Sequence, residues 1–376
     1  MKISQMGTPA LLLDRNKLQR NIDVMQSRLQ SLKVPFRVHL KTAKCAKIAA
    51  MVLSPNNPSI TVSTVREAEY FFDHGVRDFL YAVGIAPNKL SRVAQLMKKG
   101  AVVRLCLDSM VQARALQEAG SNCGLAYDAV IEIDCDGHRG GLPPQSPEID
   151  QIARYLKGSS NVRFCGLMTH AGGSYDMRDI DGIRTMAAQE RDAVVSCGQR
   201  LSDQGLRSEI LSAGSTPTAT YGQDWSGLTE VRAGVYLFHD LVMAGLGVCS
   251  IDDIALSVLA CVIAVQPERQ RLIVDAGWMA LSRDRGTADH AVDQGYGLVC
   301  DINGRPLGDL VVTETNQEHG IVASRTGAPI DFERLCVGSL VRVLPSHACA
   351  TAAMHRHYHV VDGQEANAVW CRDDGW

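Results

Sequence analysis

The chain lacks the stretches that would place it in a membrane, on nucleic acid or in a disulfide framework. Its longest apolar runs, such as residues 254–265, are too short to cross a bilayer. There is no basic excess to neutralise phosphates: 38 Lys and Arg stand against 41 Asp and Glu, a net charge of −3, which argues against a nucleic-acid partner. Twelve cysteines are scattered singly from Cys45 to Cys371, with no CxxC spacing. The opening MKISQMGTPALLLD has no apolar region followed by a small-residue cleavage site, so no signal peptide is read. A reducing cytoplasm is the expected compartment. Repeats of solenoid period and low-complexity tracts are also missing.

What is there is ordinary soluble composition, 46% apolar and 21% charged, over 376 residues. That length exceeds what one hydrophobic core usually serves, so it calls for one large barrel or two domains. Up to about residue 245, short Val-, Ile- and Leu-rich runs alternate with amphipathic segments. The runs predict strands over 36–41, 59–64, 78–83, 102–108, 128–134, 163–170, 209–214 and 229–234. Helices are expected over 15–32, 42–53, 65–74, 87–99, 110–119, 147–156 and 181–201. Eight strand–helix units over this length fit a (β/α)8 barrel of TIM type. An open doubly wound sheet fits less well, because no Gly-rich phosphate turn follows the first strand. After residue 245, strand patterns at 254–266, 271–277, 296–301, 310–314 and 340–345 come without long helices. Asn303-Gly304 and Asp362-Gly363 are hairpin signals. The expected organisation is a barrel over 11–245, followed by a smaller, mostly antiparallel β domain over 246–376. Residues 1–10 are expected to add a strand to that second domain.

A barrel enzyme works at the C-terminal ends of its strands. The first strand ends at His39-Leu40-Lys41. A lysine in a largely apolar mouth is desolvated, which favours the free amine and makes it a nucleophile for a carbonyl. The alternative for any single lysine is a solvated surface position. The seventh strand runs into Gly214-Ser215-Thr216-Pro217-Thr218. Small, hydroxylated residues entering a helix can close around a phosphate, or simply cap the helix. Together these features suggest a phosphorylated aldehyde held as a Schiff base, for which pyridoxal 5′-phosphate (PLP) is the common cofactor. Arg139, after the fifth strand, could reach the ring, and His170, after the sixth, could contact it or relay protons; either could equally be structural. In the second domain, Ser346-His347-Ala348-Cys349 offers an imidazole and a thiol two residues apart. In extended chain these would share a face and suit Zn2+, with positions left open for water or substrate. A buried cysteine beside a satisfied histidine is the alternative. His355, His357 and His359 alternate and could compete as ligands, but they read mainly as a solvated strand, with His355 the first exception.

The residues resemble a known family. Thr8-Pro9-Ala10, Arg37-Val38-His39-Leu40-Lys41-Thr42, residues 132–140, 212–218, 230–236, Val274-Asp275-Ala276-Gly277, Glu318-His319-Gly320 and 345–351 are similar, in order, to the metal-activated fold-type III PLP enzymes. That family includes D-threonine aldolase, D-serine dehydratase and D-threo-3-hydroxyaspartate dehydratase. The resemblance implies an alanine-racemase-like barrel with a C-terminal β domain, and a homodimer with active sites near the interface. It implies Lys41 as the Schiff-base lysine, Gly214, Ser215, Thr216 and Tyr236 around the phosphate, and Ser63, Arg139 and His170 near the cofactor. It also implies His347 and Cys349 as ligands of Zn2+, Mn2+ or Mg2+. Val38 stands where proline is common. Cys349 stands where many aldolases carry Asp, which points to the dehydratase branch, that of D-threo-3-hydroxyaspartate dehydratase. The implied activity is a lyase converting a D-3-hydroxyamino acid to a 2-oxo acid and ammonia, with Lys41 and His170 as catalytic groups. Retro-aldol cleavage to glycine and an aldehyde, racemisation and non-catalytic PLP binding are the other readings. Arg283 and His138 are candidate cations for a distal substrate carboxylate.

Overall fold

The computed structural model describes residues 1–54 and 58–376. By contacts the chain divides into two compact units, one of residues 24–234 with 375–376 and the other of residues 1–23 with 235–374. The chain opens with strand β1 (Ala10–Asp14), and a helix follows over Arg15–Ser31.

In the 24–234 unit, eight strands form a closed, all-parallel barrel. They are β2 (Phe36–His39), β3 (Ser59–Val62), β4 (Asp78–Tyr81), β5 (Val102–Leu107), β6 (Tyr127–Ile133), β7 (Val162–Thr169), β8 (Ile210–Ala213) and β9 (Glu230–Ala233). Each lies within a residue or two of its expected run, and all eight stop short at the C-terminal end. Lys41, His170 and Gly214 therefore sit in the loops just beyond the ladder, where side chains are free to face the mouth. The helices begin where the sequence supplies a cap: Thr64 accepts from the Glu67 amide, Ser109 from Gln112 and Asp179 from Gly182. A bulge interrupts the β6–β7 pairing between Ala129 and Val130. There Gly166 adopts φ +142, and a Cβ would collide with the Ile210 carbonyl oxygen.

The barrel is not lined by apolar residues alone. Arg37 pairs with Glu230 at 2.7 Å and with Asp78 at 2.8 Å, and Arg104 pairs with the same Asp78 at 2.7 Å. Ser212 donates to Glu230 at 2.7 Å, and the buried Arg232 donates to Ser212 and to the Thr169 carbonyl. This chain of charges crosses β2, β4, β5, β8 and β9. Every buried charge in it has a partner, which is the condition for keeping it.

The other unit contains β1 and eight further strands: β10 (Leu256–Gln266), β11 (Arg271–Val274), β12 (Gly297–Cys300), β13 (Pro306–Thr315), β14 (Gly320–Ser324), β15 (Leu340–Pro345), β16 (His357–Asp362) and β17 (Glu365–Cys371). Their order is β11-β14-β13-β12-β15-β10-β1-β16-β17, with β10 also paired to β11. All pairs are antiparallel except β1 with β16. Asn303-Gly304 turns β12 into β13, and Asp362-Gly363 turns β16 into β17, with both glycines at positive φ. The N-terminal strand of this unit is Ala10–Asp14 rather than residues 1–10. The unit also takes in residues 11–23 and 235–245, which the sequence pattern assigns to the barrel. The cause is local: β1 pairs on one side with β10 and on the other with β16, while Leu241 packs with Ile254, Leu298, Cys300, Val311 and Leu344. All twelve cysteines are free thiols, and among the described residues no helix is long and apolar enough to cross a membrane.

Candidate active site

Because the barrel is parallel, the loops after β2, β3, β6, β7 and β8 emerge at one end. Lys41 lies there half-buried. Its surroundings are polar, contrary to the apolar mouth expected from the strand sequences. The His39 imidazole is held well below its ordinary value by burial first, then by the charges of Lys41, Arg232 and His170. His39 Nε2 lies 3.3 Å from the Ser63 hydroxyl, and its Nδ1 accepts from the Lys41 amide at 3.4 Å. Ser63 donates its own amide to Glu67 at 2.9 Å. The His170 imidazole is pushed down to about 3, chiefly by burial, despite its bond to the Gly214 carbonyl; Arg139, Lys41 and Arg232 add to the effect. Its Nδ1 is 3.1 Å from that carbonyl oxygen. A neutral ring donating from Nδ1 leaves Nε2 with a free lone pair. The Arg139 guanidinium is exposed, with no hydrogen bond or ion pair among the described residues.

The loop after β8 is more tightly bound than an open cup of donors. The Gly214 amide donates to Glu190 at 2.9 Å, and the Ser215 amide donates to the Thr218 hydroxyl at 2.9 Å. Ser215 also caps the helix Thr216–Tyr221, in a reciprocal box with Thr218. Gly214 has φ +124, and a Cβ there would strike the Arg232 carbonyl oxygen. At Gly234 a Cβ would come within 2.7 Å of the His39 carbonyl oxygen. Two close approaches of backbone thus need glycine. Residues Ser215 and Thr216 are buried.

In the other unit, Tyr236 follows β9. It is fully buried, and burial pushes its phenol above the ordinary range. His347 and Cys349 do not share a strand as the HxC spacing suggests: His347, still extended, stands at the N-cap position of the short helix Ala348–Ala353 without a side-chain capping bond, and Cys349 lies in that helix's first turn. The helical turn still brings them together. Burial alone would depress the His347 imidazole, but hydrogen bonds to Asp284 and Cys349 outweigh it and raise it to about 11. His347 Nδ1 is 2.5 Å from Asp284 Oδ2. The buried Asp240 accepts from the Ala348 amide at 2.8 Å and the Met243 amide at 2.9 Å, tying the start of this helix to the segment after β9. Among the described residues no group of three His, Cys, Asp or Glu gathers as a metal site. His355 Nε2 lies 2.9 Å from the Ala280 carbonyl, which accounts for it without a ligand role. Arg283 stacks on Trp278 at 4.6 Å, and His138 lies 3.8 Å from Asp176.

The family model for the alanine racemase N-terminal domain matches residues 13–241, and one for a serine dehydratase domain matches residues 255–361. The chain belongs to the alanine-racemase-like, fold-type III family. Within it, the chain is 44% identical to the D-threo-3-hydroxyaspartate dehydratase of Delftia sp. (strain HT23), over 99% of this chain and 98% of that one. It is 30% identical to the D-serine dehydratase of Dictyostelium discoideum, covering 96% and 94%. A solved structure of a cysteine-to-alanine mutant of D-threo-3-hydroxyaspartate dehydratase, in the metal-free form, superposes with a TM-score of 0.97 at 42% identity and full coverage of both chains.

This is a family of PLP-dependent enzymes, and the barrel mouth fits the cofactor. It places a lysine beyond β2 near two imidazoles that burial keeps neutral, with the charges of Arg139 and Arg232 acting on the His170 ring, and with a tightly packed, hydroxyl-bearing loop after β8. The thiol–imidazole pair fits a borderline-soft divalent cation, because Asp284 occupies Nδ1 and so leaves Nε2 for a metal. Sequence reasoning missed His39, Arg232, Glu190, Asp240 and Asp284. Only Glu190 left a signal, since it interrupts the apolar stripe of its helix.

Proposed function

We propose that the chain is a PLP- and divalent-metal-dependent lyase that dehydrates D-3-hydroxyamino acids to 2-oxo acids and ammonia, with D-threo-3-hydroxyaspartate and D-serine as the substrates of choice. The observation that carries this reading is the close pairing of the Cys349 thiol with the His347 imidazole, next to Asp284. Both relatives named above are dehydratases, and the cysteine-to-alanine relative was solved in a metal-free form, which implies a metal-bound one.

When bound, PLP supplies an electron-poor ring that stabilises negative charge at Cα, and the metal supplies a Lewis acid for the β-hydroxyl. Lys41 is the residue that would hold the cofactor aldehyde, and its Nζ is the group that would take the substrate α-proton. His170 is suited to accept a hydrogen bond at Nε2 but not to carry a positive charge, because burial keeps the ring neutral. Arg139 and Arg232 supply positive charge at the barrel mouth, with Arg232 fixed by Ser212 and Thr169 and Arg139 free to move. Ser63, through His39, links the loop after β3 to the lysine loop. Gly214, Ser215, Thr216 and Tyr236 are the residues to hold the phosphate. His347 and Cys349 are the metal ligands, Zn2+ first among Zn2+, Mn2+ and Mg2+, with Asp284 orienting the imidazole ring. The working form is a cytoplasmic homodimer.

Incubating the PLP- and Zn2+-loaded protein with D-threo-3-hydroxyaspartate, D-serine and D-threonine tests the reading. The expected products are 2-oxo acid and ammonia. Glycine with an aldehyde would make it an aldolase, and the L-isomer a racemase.

A further inference from the structure

Glu190 is a buried carboxyl group for which the proposed chemistry has no use. It sits midway along the helix Ile180–Asp203 and has no solvent exposure. The rest of that face is made of Ile183, Ala187, Val194, Cys197 and Leu201, so the packing asks for an apolar residue. A carboxyl group removed this completely from water is kept only when specific donors compensate it. Three do. The amides of Ala171 and Gly214 both donate to Oε1, at 2.8 and 2.9 Å, and the Thr218 hydroxyl lies 2.7 Å from Oε2.

The donors come from two loops. Ala171 follows His170 after β7, while Gly214 and Thr218 bracket Ser215 and Thr216 after β8. One side chain, reaching from behind, therefore clamps the loop of the ring-facing imidazole to the loop of the phosphate site. The clamp is passed on through hydrogen bonds. Gly214, held by its N–H, turns its carbonyl to His170 Nδ1. Thr218, held by its hydroxyl, accepts from the Ser215 amide, and its oxygen lies 3.0 Å from Ser215 Oγ. Ser215 Oγ in turn lies 2.8 Å from Ser174 Oγ, so the chain of hydroxyls closes back on the loop after β7.

We propose that Glu190 is a positioning residue for the cofactor phosphate, setting the shape of the 214–218 loop through Gly214 and Thr218. This rests on the PLP reading above. A merely structural Glu190 would weaken PLP and pyridoxal alike, because both carry the aldehyde and the ring and only PLP carries the phosphate. The test is to titrate the apoprotein with each and follow the yellow absorbance of the lysine-bound form. In Glu190→Ala the apparent Kd for PLP is expected to rise about tenfold or more, as three buried donors lose their acceptor, while that for pyridoxal changes less than about threefold. Glu190→Gln is expected to restore the PLP-to-pyridoxal ratio to within about threefold of wild type, since its amide oxygen still accepts two N–H groups and its NH2 can donate to Thr218. An unchanged ratio in Glu190→Ala overturns the proposal. Should that variant not fold, Glu190→Asp, whose shorter side chain cannot keep both loops in reach, takes its place: a rise in the ratio of the Kd for PLP to that for pyridoxal supports the proposal, and an unchanged ratio overturns it. A wild-type protein that forms no lysine-bound chromophore with either compound would sink the PLP reading and the proposal with it, whereas an unmoved ratio sinks only the second.

Discussion

Lys41 and Cys349 are proposed for two separate chemistries, and each can be tested by itself. Lys41→Ala is expected to abolish the yellow absorbance of lysine-bound PLP. Cys349→Ala is expected to keep that absorbance while losing tightly held zinc and any response of activity to added Zn2+ or Mn2+. Absorbance and metal analysis of the two purified variants read both outcomes, and metal activation retained in the second would refute the ligand assignment. These two positions are visible in the sequence because each depends on local pattern: a lysine at the end of a strand, and a thiol two residues from an imidazole. The residues that orient them are not visible. Asp284 meets His347 across 63 residues of chain, and Gly214 meets Glu190 across 24. No spacing rule reports which distant loop folds back onto a site. Glu190 is the exception that could have been found, as a charge standing where 183, 187, 194, 197 and 201 repeat an apolar stripe.

Elements are easier to read than side-chain partners. The eight barrel strands are mostly buried on both faces and therefore appear as Val-, Ile- and Leu-rich runs broken by single charges such as Arg37, Arg104 and Glu230, which needs no long-range information. In the second unit the same logic finds β10, β11, β12, β13 and β15 but misses β14; residues 355–359, read mainly as a solvated strand, overlap β16, which is more buried than that reading has it. The exposure of β17 explains its silence: nearly every residue in it is partly or fully open, so no apolar face marks it. Likewise, the short helix Ala348–Ala353 reads as extended chain because six residues hold too few turns to show a period. The β6–β7 bulge also lies beyond sequence pattern, yet it makes a firm prediction. Gly166→Ala puts a Cβ onto the Ile210 carbonyl at a φ that L-residues avoid. The variant is expected to lose on the order of 2 kcal/mol or more of stability, seen as a lower urea midpoint.

Across the whole molecule, several imidazoles are buried in their neutral form. Burial depresses His39, holds His170 at about 3 and holds His239 at about 4. Once unfolded, each takes up a proton near its ordinary value, so the unfolded chain binds more protons as the pH drops below about 6.5. Their contribution to stability is complete above that pH and is lost as the pH falls towards 4 and 3. Each adds a slope of up to about 1.4 kcal/mol per pH unit in that window. His239→Gln is therefore expected to flatten the fall of the apoprotein's unfolding free energy between pH 6 and pH 4.5, measured by denaturant titration at each pH. A slope identical to wild type would show that His239 is not held neutral. The division of the chain at this scale is only partly legible, since the boundary depends on where β1 finds its partners.

That strand has a consequence for how the polypeptide is made. Ala10–Asp14 leaves the ribosome well before its partners, because the strands that flank it are encoded some 245 and 345 residues later, at 256–259 and 359–361. The barrel residues emerge in between and hold all their own pairings, so they can close while β1 still waits with both edges bare. An apolar strand exposed for the rest of translation is a template for the wrong neighbour. Its run of three leucines between Ala10 and Asp14 is thus the point in this chain where a chaperone would be expected to act first.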